Sequence, residues 1–166
     1  MKQEKLFRQK RAHVAIMKKE WGLVPKILSG EKKLESRWYL NKTRPWDNIE
    51  SGDDIYFKNS SEPVSIKAKV KKVLQFENLN PKMVKELLNQ FAVDDGLGIE
   101  KNKLDQFYQR FKNKNYCIII SLSGAEKIKP FNIYKLGFGA MSAWITVDNI
   151  KKIFRPITKT KQRRLL

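Results

Sequence analysis

Eight consecutive residues, Gly30-Glu31-Lys32-Lys33-Leu34-Glu35-Ser36-Arg37, set a lysine, a carboxylate and a guanidinium close to a glycine, in the pattern G-x-K-x-x-E-x-R. Gly30 allows a tight turn. If a strand follows, Glu35 and Arg37 share one face at about 7 Å spacing, and Leu34, Ser36 and Trp38 point the other way. Lys32, in the turn, reaches over the same cleft. Two chemistries fit these residue types. For binding, Arg37 and Lys32 hold a phosphate or base edge, while Glu35 orients Arg37 or accepts a hydrogen bond from a base amino group. For catalysis, Lys32 acts as base or nucleophile. That requires a pKa lowered by desolvation or by Arg37, a shift that a close Glu35 opposes. The plain structural alternative is a surface Glu35–Arg37 ion pair beside a solvated Lys32.

Aromatic residues follow the cluster. Trp38, Tyr39 and Trp46 flank a loop that also carries Lys42 and Arg44. Tryptophan stacks well on an unpaired base, and Trp46, after Pro45 in a polar loop, is the best candidate for exposure. Trp21 and Trp144 read better as core. Gly137-Phe138-Gly139 lacks the third glycine of a dinucleotide fingerprint and reads as a hairpin connection or a loop approaching a ligand. The chain has no C-x-x-C, no His pair, no P-loop and no G-x-S-x-G. Metal hydrolysis, P-loop nucleotide use and serine hydrolysis are therefore disfavoured, and no cofactor and no metal site are expected. Asp94, Asp95 and Glu100 form an acidic patch that reads as a solvated helix connection.

The elements that must position these groups follow from periodicity. Strands are predicted over residues 13–18, 34–39, 54–58, 64–76, 116–122 and 143–147, with a short extended piece at 131–134. Short helices are predicted over residues 21–28, 81–91 and 101–111, and a helical turn within residues 148–154. Ser29-Gly30 ends the first helix, Asn80-Pro81 opens the second, and Asp94-Asp95-Gly96 breaks it. Short strands with a two-helix insertion predict an α+β fold, a small and mostly antiparallel β-barrel of five to six strands with flanking helices.

Length and charge bound the rest. The 166 residues suffice for one domain with one core, and the hydrophobic content of 41% is ordinary for a globular chain. The net charge of +18 is not ordinary; residues 1–11 contribute +4 of it and residues 151–166 contribute +7. The expected organisation is a flexible basic arm over 1–11, a domain over 12–154 and a basic tail over 155–166. A polyanion, nucleic acid before membrane, is the natural partner of such a surface. The single cysteine, Cys117, sits in an apolar run and reads as core packing in a reducing compartment. With no signal-type or membrane-spanning run, a cytoplasmic protein is expected.

The Gly30, Lys32, Glu35, Arg37 spacing, together with Ser51-Gly52-Asp53-Asp54-Ile55-Tyr56-Phe57, resembles the signature of the ASCH family, relatives of the PUA RNA-binding barrel. The resemblance covers roughly residues 12–150. It implies a PUA-like barrel and an RNA-related role, with RNA or a modified base or nucleoside as partner. Some relatives hydrolyse acetylated cytidine with a Lys, a Thr and a Glu, and ribonuclease activity is also associated with the family. Lys32 falls on that lysine, Glu35 stands in place of the threonine, and Glu100 is the loose match for the glutamate. The carboxylate at 35 shifts the expectation from hydrolase to binder. The expected binding set is Gly30, Lys32, Glu35, Arg37, Trp38, Arg44 and Trp46; the alternative is a small RNA- or nucleoside-processing hydrolase using Lys32, Glu35 and Glu100.

Overall fold

The computed structural model describes residues 8–92 and 96–158. Its strands are β1 (Ala12–Met17), β2 (Leu34–Tyr39), β3 (Asp54–Asn59), β4 (Val64–Phe76), β5 (Tyr116–Ile133), β6 (Trp144–Val147) and β7 (Phe154–Arg155). The α-helices are α1 (Leu23–Ser29), α2 (Pro81–Phe91) and α3 (Leu104–Phe111), with 3₁₀ turns at Lys19–Trp21, Lys101–Lys103 and Ile150–Lys152. The sheet runs β2-β5-β4-β3-β1-β6, and β7 pairs with the far end of β5. Neighbours are antiparallel except β1 and β3, which run parallel. Curling this sheet brings its two edges, β2 and β1–β6, towards each other and leaves a seam between them. No helix among the described residues is long and apolar enough to cross a membrane.

Alternation explains most of this. In β4, Val64, Ile66, Ala68 and Val70 are buried, while Lys69 and Lys71 point to solvent. Cys117 to Ile120 in β5 are buried without alternation because both faces are covered. Ile118 and Ile120 join the barrel core with Phe57, Ile55 and Val70, whereas Cys117 and Ile119 pack beneath α2 and α3 with Leu88 and Phe91. Each such side chain contributes about 1.5–3 kcal/mol on burial, so the helical layer is as necessary as the barrel. A third cluster of Val14, Tyr56, Val64, Phe131 and Ile145 closes the opposite face.

Three expectations need correction. The strand from Tyr116 does not stop at Leu122. It continues to Ile133 and absorbs the piece at 131–134, because register shifts between Val64 and Lys72 let it follow β4 through Gly124. The helix expected over 21–28 is split: Trp21 belongs to a 3₁₀ turn, Gly22 takes a left-handed conformation (φ 62°), and α1 begins at Leu23. The helix expected over 101–111 opens with a 3₁₀ turn before α3. Asn80 caps α2 by accepting from the Met83 N–H (2.9 Å). Asp94 and Asp95, and most of the two basic ends, lie outside the described residues.

Candidate functional site

β2 is an edge strand, and the pocket lies against its open side. Lys33 accepts through its carbonyl from the Leu122 N–H, which fixes the odd-numbered residues of β2 as those bonded to β5. The backbone groups of Leu34, Ser36 and Trp38 then face the seam. Leu34 is already occupied: its N–H donates to the Gly96 carbonyl (3.0 Å) and its carbonyl accepts from Lys32 Nζ (2.6 Å). The backbone groups of Ser36 and Trp38 remain turned towards the cavity. That cavity, about 240 Å³, is bounded by β2, the end of β1, Trp21, the 97–99 loop and α3.

Lys32, Glu35 and Arg37 all line it, but they play different parts from those the spacing suggested. Lys32 does not reach over the cleft from solvent. It is buried, and its ammonium donates to the carbonyls of Leu34 (2.6 Å) and Leu97 (2.8 Å) while lying 3.5 Å from Glu35 Oε2. Burial pulls its pKa below the ordinary lysine value; the Glu35 charge opposes that shift, and Arg37 adds to it.

Arg37 crosses the seam. Its Nε donates to Glu35 Oε1 (2.9 Å), Nη1 to the Ala143 carbonyl (3.2 Å) and Nη2 to Met17 Sδ (3.2 Å). The guanidinium lies 5.0 Å from the ring centre of Trp144. Arg37 thus laces β2 to the opposite edge and fixes one oxygen of Glu35. Glu35 lines the cavity; its other oxygen, Oε2, is buried, lies 3.5 Å from the Lys32 ammonium and makes no hydrogen bond among the described residues. A buried acceptor without a hydrogen bond costs about 1–3 kcal/mol; the Lys32 charge offsets part of that cost.

The walls are aromatic. Trp38 stacks on Phe111 with ring centres 5.0 Å apart and planes within 8°, and its indole N–H donates to Ser36 Oγ (3.0 Å). Trp21 meets Phe107 edge-on at 5.7 Å. Tyr39 closes one end, its hydroxyl donating to the Arg44 carbonyl (3.0 Å); burial raises its pKa.

The remaining expected residues lie elsewhere. Gly30 caps α1 with φ 80° and is exposed, outside the cavity. Glu100 pairs loosely with Lys26 (3.6 Å) and Lys103 (3.9 Å) on the far side of the 97–99 loop and does not meet Lys32. Trp46 is half-buried against the barrel core, edge-on to Tyr116 at 5.1 Å, and is not free in its loop. Arg44 is exposed and lines a neighbouring trough. Sequence reasoning missed Met17, Leu97, Phe107, Phe111 and Ala143. One signal was available, the Gly96-Leu97-Gly98 triplet. The Gly96 carbonyl accepts from the N–H groups of both Lys33 and Leu34, and the Leu97 carbonyl holds Lys32.

Gly98 has φ +76°, and a Cβ there would stand 3.0 Å from Lys32 Cβ. Gly98→Ala is expected to cost about 1–2 kcal/mol from the left-handed backbone alone, and more through the clash. Gly30, with φ +80° and open space around it, is the control. Thermal unfolding of the two alanine variants checks this, with Gly98→Ala falling further; equal losses would show that the loop yields freely.

No protein-family model and no curated protein matches the chain. Solved structures do. The crystal structure of ASCH from Zymomonas mobilis is 16% identical, with 72% of this chain and 71% of that chain covered and a TM-score of 0.52. A tyrosine-to-phenylalanine variant of the same protein is 16% identical over 84% of this chain and 91% of its own, with a TM-score of 0.57. A serine-to-alanine variant is 15% identical over 75% of each chain, with a TM-score of 0.53. With its curled sheet, its seam and its helices over one side, the chain has the fold of an ASCH domain, a PUA-like barrel.

Proposed function

We propose that the protein binds RNA by taking one base into the cavity beneath β2. The observation that carries this reading is the aromatic-walled cavity lined by Glu35, a buried carboxylate whose Oε2 makes no hydrogen bond among the described residues and has only the Lys32 charge, at 3.5 Å, beside it. At about 240 Å³ the space is below the range of about 300–1,000 Å³ usual for drug-sized ligands and suits a single planar base. A base amino group donates to the Glu35 carboxylate, the backbone edge of Ser36 and Trp38 offers further donors and acceptors, and aromatic walls exclude water. Arg37 holds the Glu35 carboxylate and contacts no ligand directly. The basic arm over 1–11 and tail over 155–166 add affinity that is independent of sequence and falls with salt.

The hydrolytic alternative requires the amine of Lys32 to face the cavity. Its directions to the Leu34 carbonyl, the Leu97 carbonyl and Glu35 weigh against that. The absence of any contact between Lys32 and Glu100 weighs against it too.

Glu35→Gln tests the reading. It keeps the shape but replaces a charged acceptor, and a charge-assisted hydrogen bond contributes about 1.5–3 kcal/mol. Affinity for single-stranded RNA is expected to fall roughly tenfold or more, with the preference for amino-bearing bases lost. Homopolymer titrations by fluorescence anisotropy read both. An unchanged affinity and an unchanged order of bases would remove the reading.

A further inference from the structure

The base cavity does not stand alone. It shares Trp21, Leu23, Ile99 and Phe107 with a second cavity of about 220 Å³ between α3 and the 3₁₀ turn before α1. On its other side it shares Tyr39 and Ala143 with a trough of about 570 Å³ between the 43–44 turn and the 137–144 segment. The three lie in a row along the seam of the barrel, with the base cavity in the middle.

Charge marks the row as well. Most cations along it already have carboxylates: Lys26 and Lys103 pair with Glu100, and Lys32 and Arg37 with Glu35. Three do not. Among the described residues, the charged groups of Lys18, Arg44 and Arg110 make no ion pair and no hydrogen bond. Each lines a different one of the three cavities: Arg110 the first, Lys18 the middle, Arg44 the trough. Lys18 and Arg110 lie over the Trp21 ring at 5.3 and 4.7 Å from its centre, which holds them at the junction of the first two cavities. The first cavity also carries Glu20, which has no ion pair among the described residues, so a phosphate there sits beside Arg110 against one opposing charge. An unpaired cation at each hollow of a row is still the pattern of a strand with one phosphate per residue. A duplex offers no base to the middle cavity and cannot follow the seam.

We infer that the seam is a single-strand track of three nucleotides, with the central base in the Glu35 cavity and its two neighbours in the flanking hollows under Arg110 and Arg44. This rests on the base-binding reading and adds to it a substrate form, a length and two residues. Both flanking sites use aromatic or apolar walls: Phe107 on one side, and Phe138 with the exposed Met141 on the other.

The test is a length series of single-stranded oligonucleotides, from a nucleoside monophosphate to six residues, titrated against the full chain and against Arg44→Ala, Arg110→Ala and Glu35→Gln. At a salt concentration high enough to suppress the contribution of the basic ends, affinity is expected to rise with each nucleotide up to about three and then level off. Each arginine variant weakens the trinucleotide by about tenfold and the monophosphate by clearly less, and a blunt duplex of the same sequence fails to compete. An affinity that climbs steadily to six residues overturns the track, as does an equal loss for monophosphate and trinucleotide. Either result, with Glu35→Gln still weakening every length, leaves the central base site standing. If Glu35→Gln matches the unmodified chain at all lengths, the base site and the track fall together.

Discussion

Lys32→Met is expected to destabilise the fold by about 3–5 kcal/mol, because it removes one partner of a buried ion pair. The substitution conserves much of the aliphatic stem but strands three acceptors: the carbonyls of Leu34 and Leu97 and the carboxylate of Glu35. It also cuts the tie between the 97–99 loop and β2, so the loss is local as well as global. The pairing makes a sharper statement possible. In the double variant Lys32→Met, Glu35→Leu the stranded carboxylate is gone, and the two losses are expected to fall short of their sum by roughly 1–3 kcal/mol. Urea unfolding of the four members of the cycle measures this. Additive losses would show that the two groups do not sense each other across 3.5 Å.

The second large effect belongs to Asp53, the acid of the glycine turn before β3. Its carboxylate is buried and accepts five times over. Arg8 donates twice (3.0 and 2.9 Å), and the N–H groups of Arg11 and Glu50 and the ring of His13 donate at 3.0 Å each. His13 is itself fully buried. Its Nδ1 receives the indole N–H of Trp144 (3.2 Å) and lies 2.9 Å from Thr146 Oγ1, so its proton sits on Nε2, facing Asp53. Asp53→Ala is expected to cost about 3–5 kcal/mol.

This network also sets a pH dependence. Burial raises the pKa of Asp53, but the hydrogen bonds from Arg8, Arg11, His13 and Glu50 outweigh it and hold the group well below the carboxylate range. Burial lowers the pKa of His13 from 6.5, against the opposing pull of Asp53. Both folded-state values are depressed, so the unfolded chain takes up protons first as pH falls. The His13 contribution is complete above pH 6.5 and declines below it; the Asp53 contribution declines below its unfolded value of 3.8. Tm should therefore decrease in two stages on acidification, and the later stage should shrink in Asp53→Ala. The remainder comes from groups such as Asp54, whose pKa burial raises but Lys10, Lys69 and Lys67 lower further. A flat Tm from pH 7 to pH 3 would contradict this.

Trp144 links the two networks. Its indole donates to His13 on one side and its ring lies against Arg37 on the other. The residue read from sequence as core is core, and it also braces the arginine that fixes Glu35.

Local pattern carried part of this structure. The bounds of β2 and β4, the Gly30 stop of α1 and the Asn80-Pro81 start of α2 follow from period-two alternation, left-handed glycine and capping chemistry, all written within a few residues. The shared face of Glu35 and Arg37 follows from the same alternation, and their ion pair forms as that geometry requires.

What local pattern could not carry is everything that depends on which distant segment arrives next to it. The stretch of β5 from Ser123 to Lys127 is mostly exposed, and its long partner β4 keeps it extended. The parallel pairing of β1 with β3 is a property of topology. A lysine beside a glycine turn reads as solvated until the 96–98 segment closes over it and supplies a carbonyl. The same closure turns Lys32 from the residue poised between binding and catalysis into a strut, paired with the acid that lines the cavity. Local pattern supplied the chemical types available to the site and the strand that carries them. Which of them pair with one another, Lys32 and Arg37 with Glu35, follows from contacts across the seam of the barrel, because those contacts set burial and hydrogen-bond satisfaction.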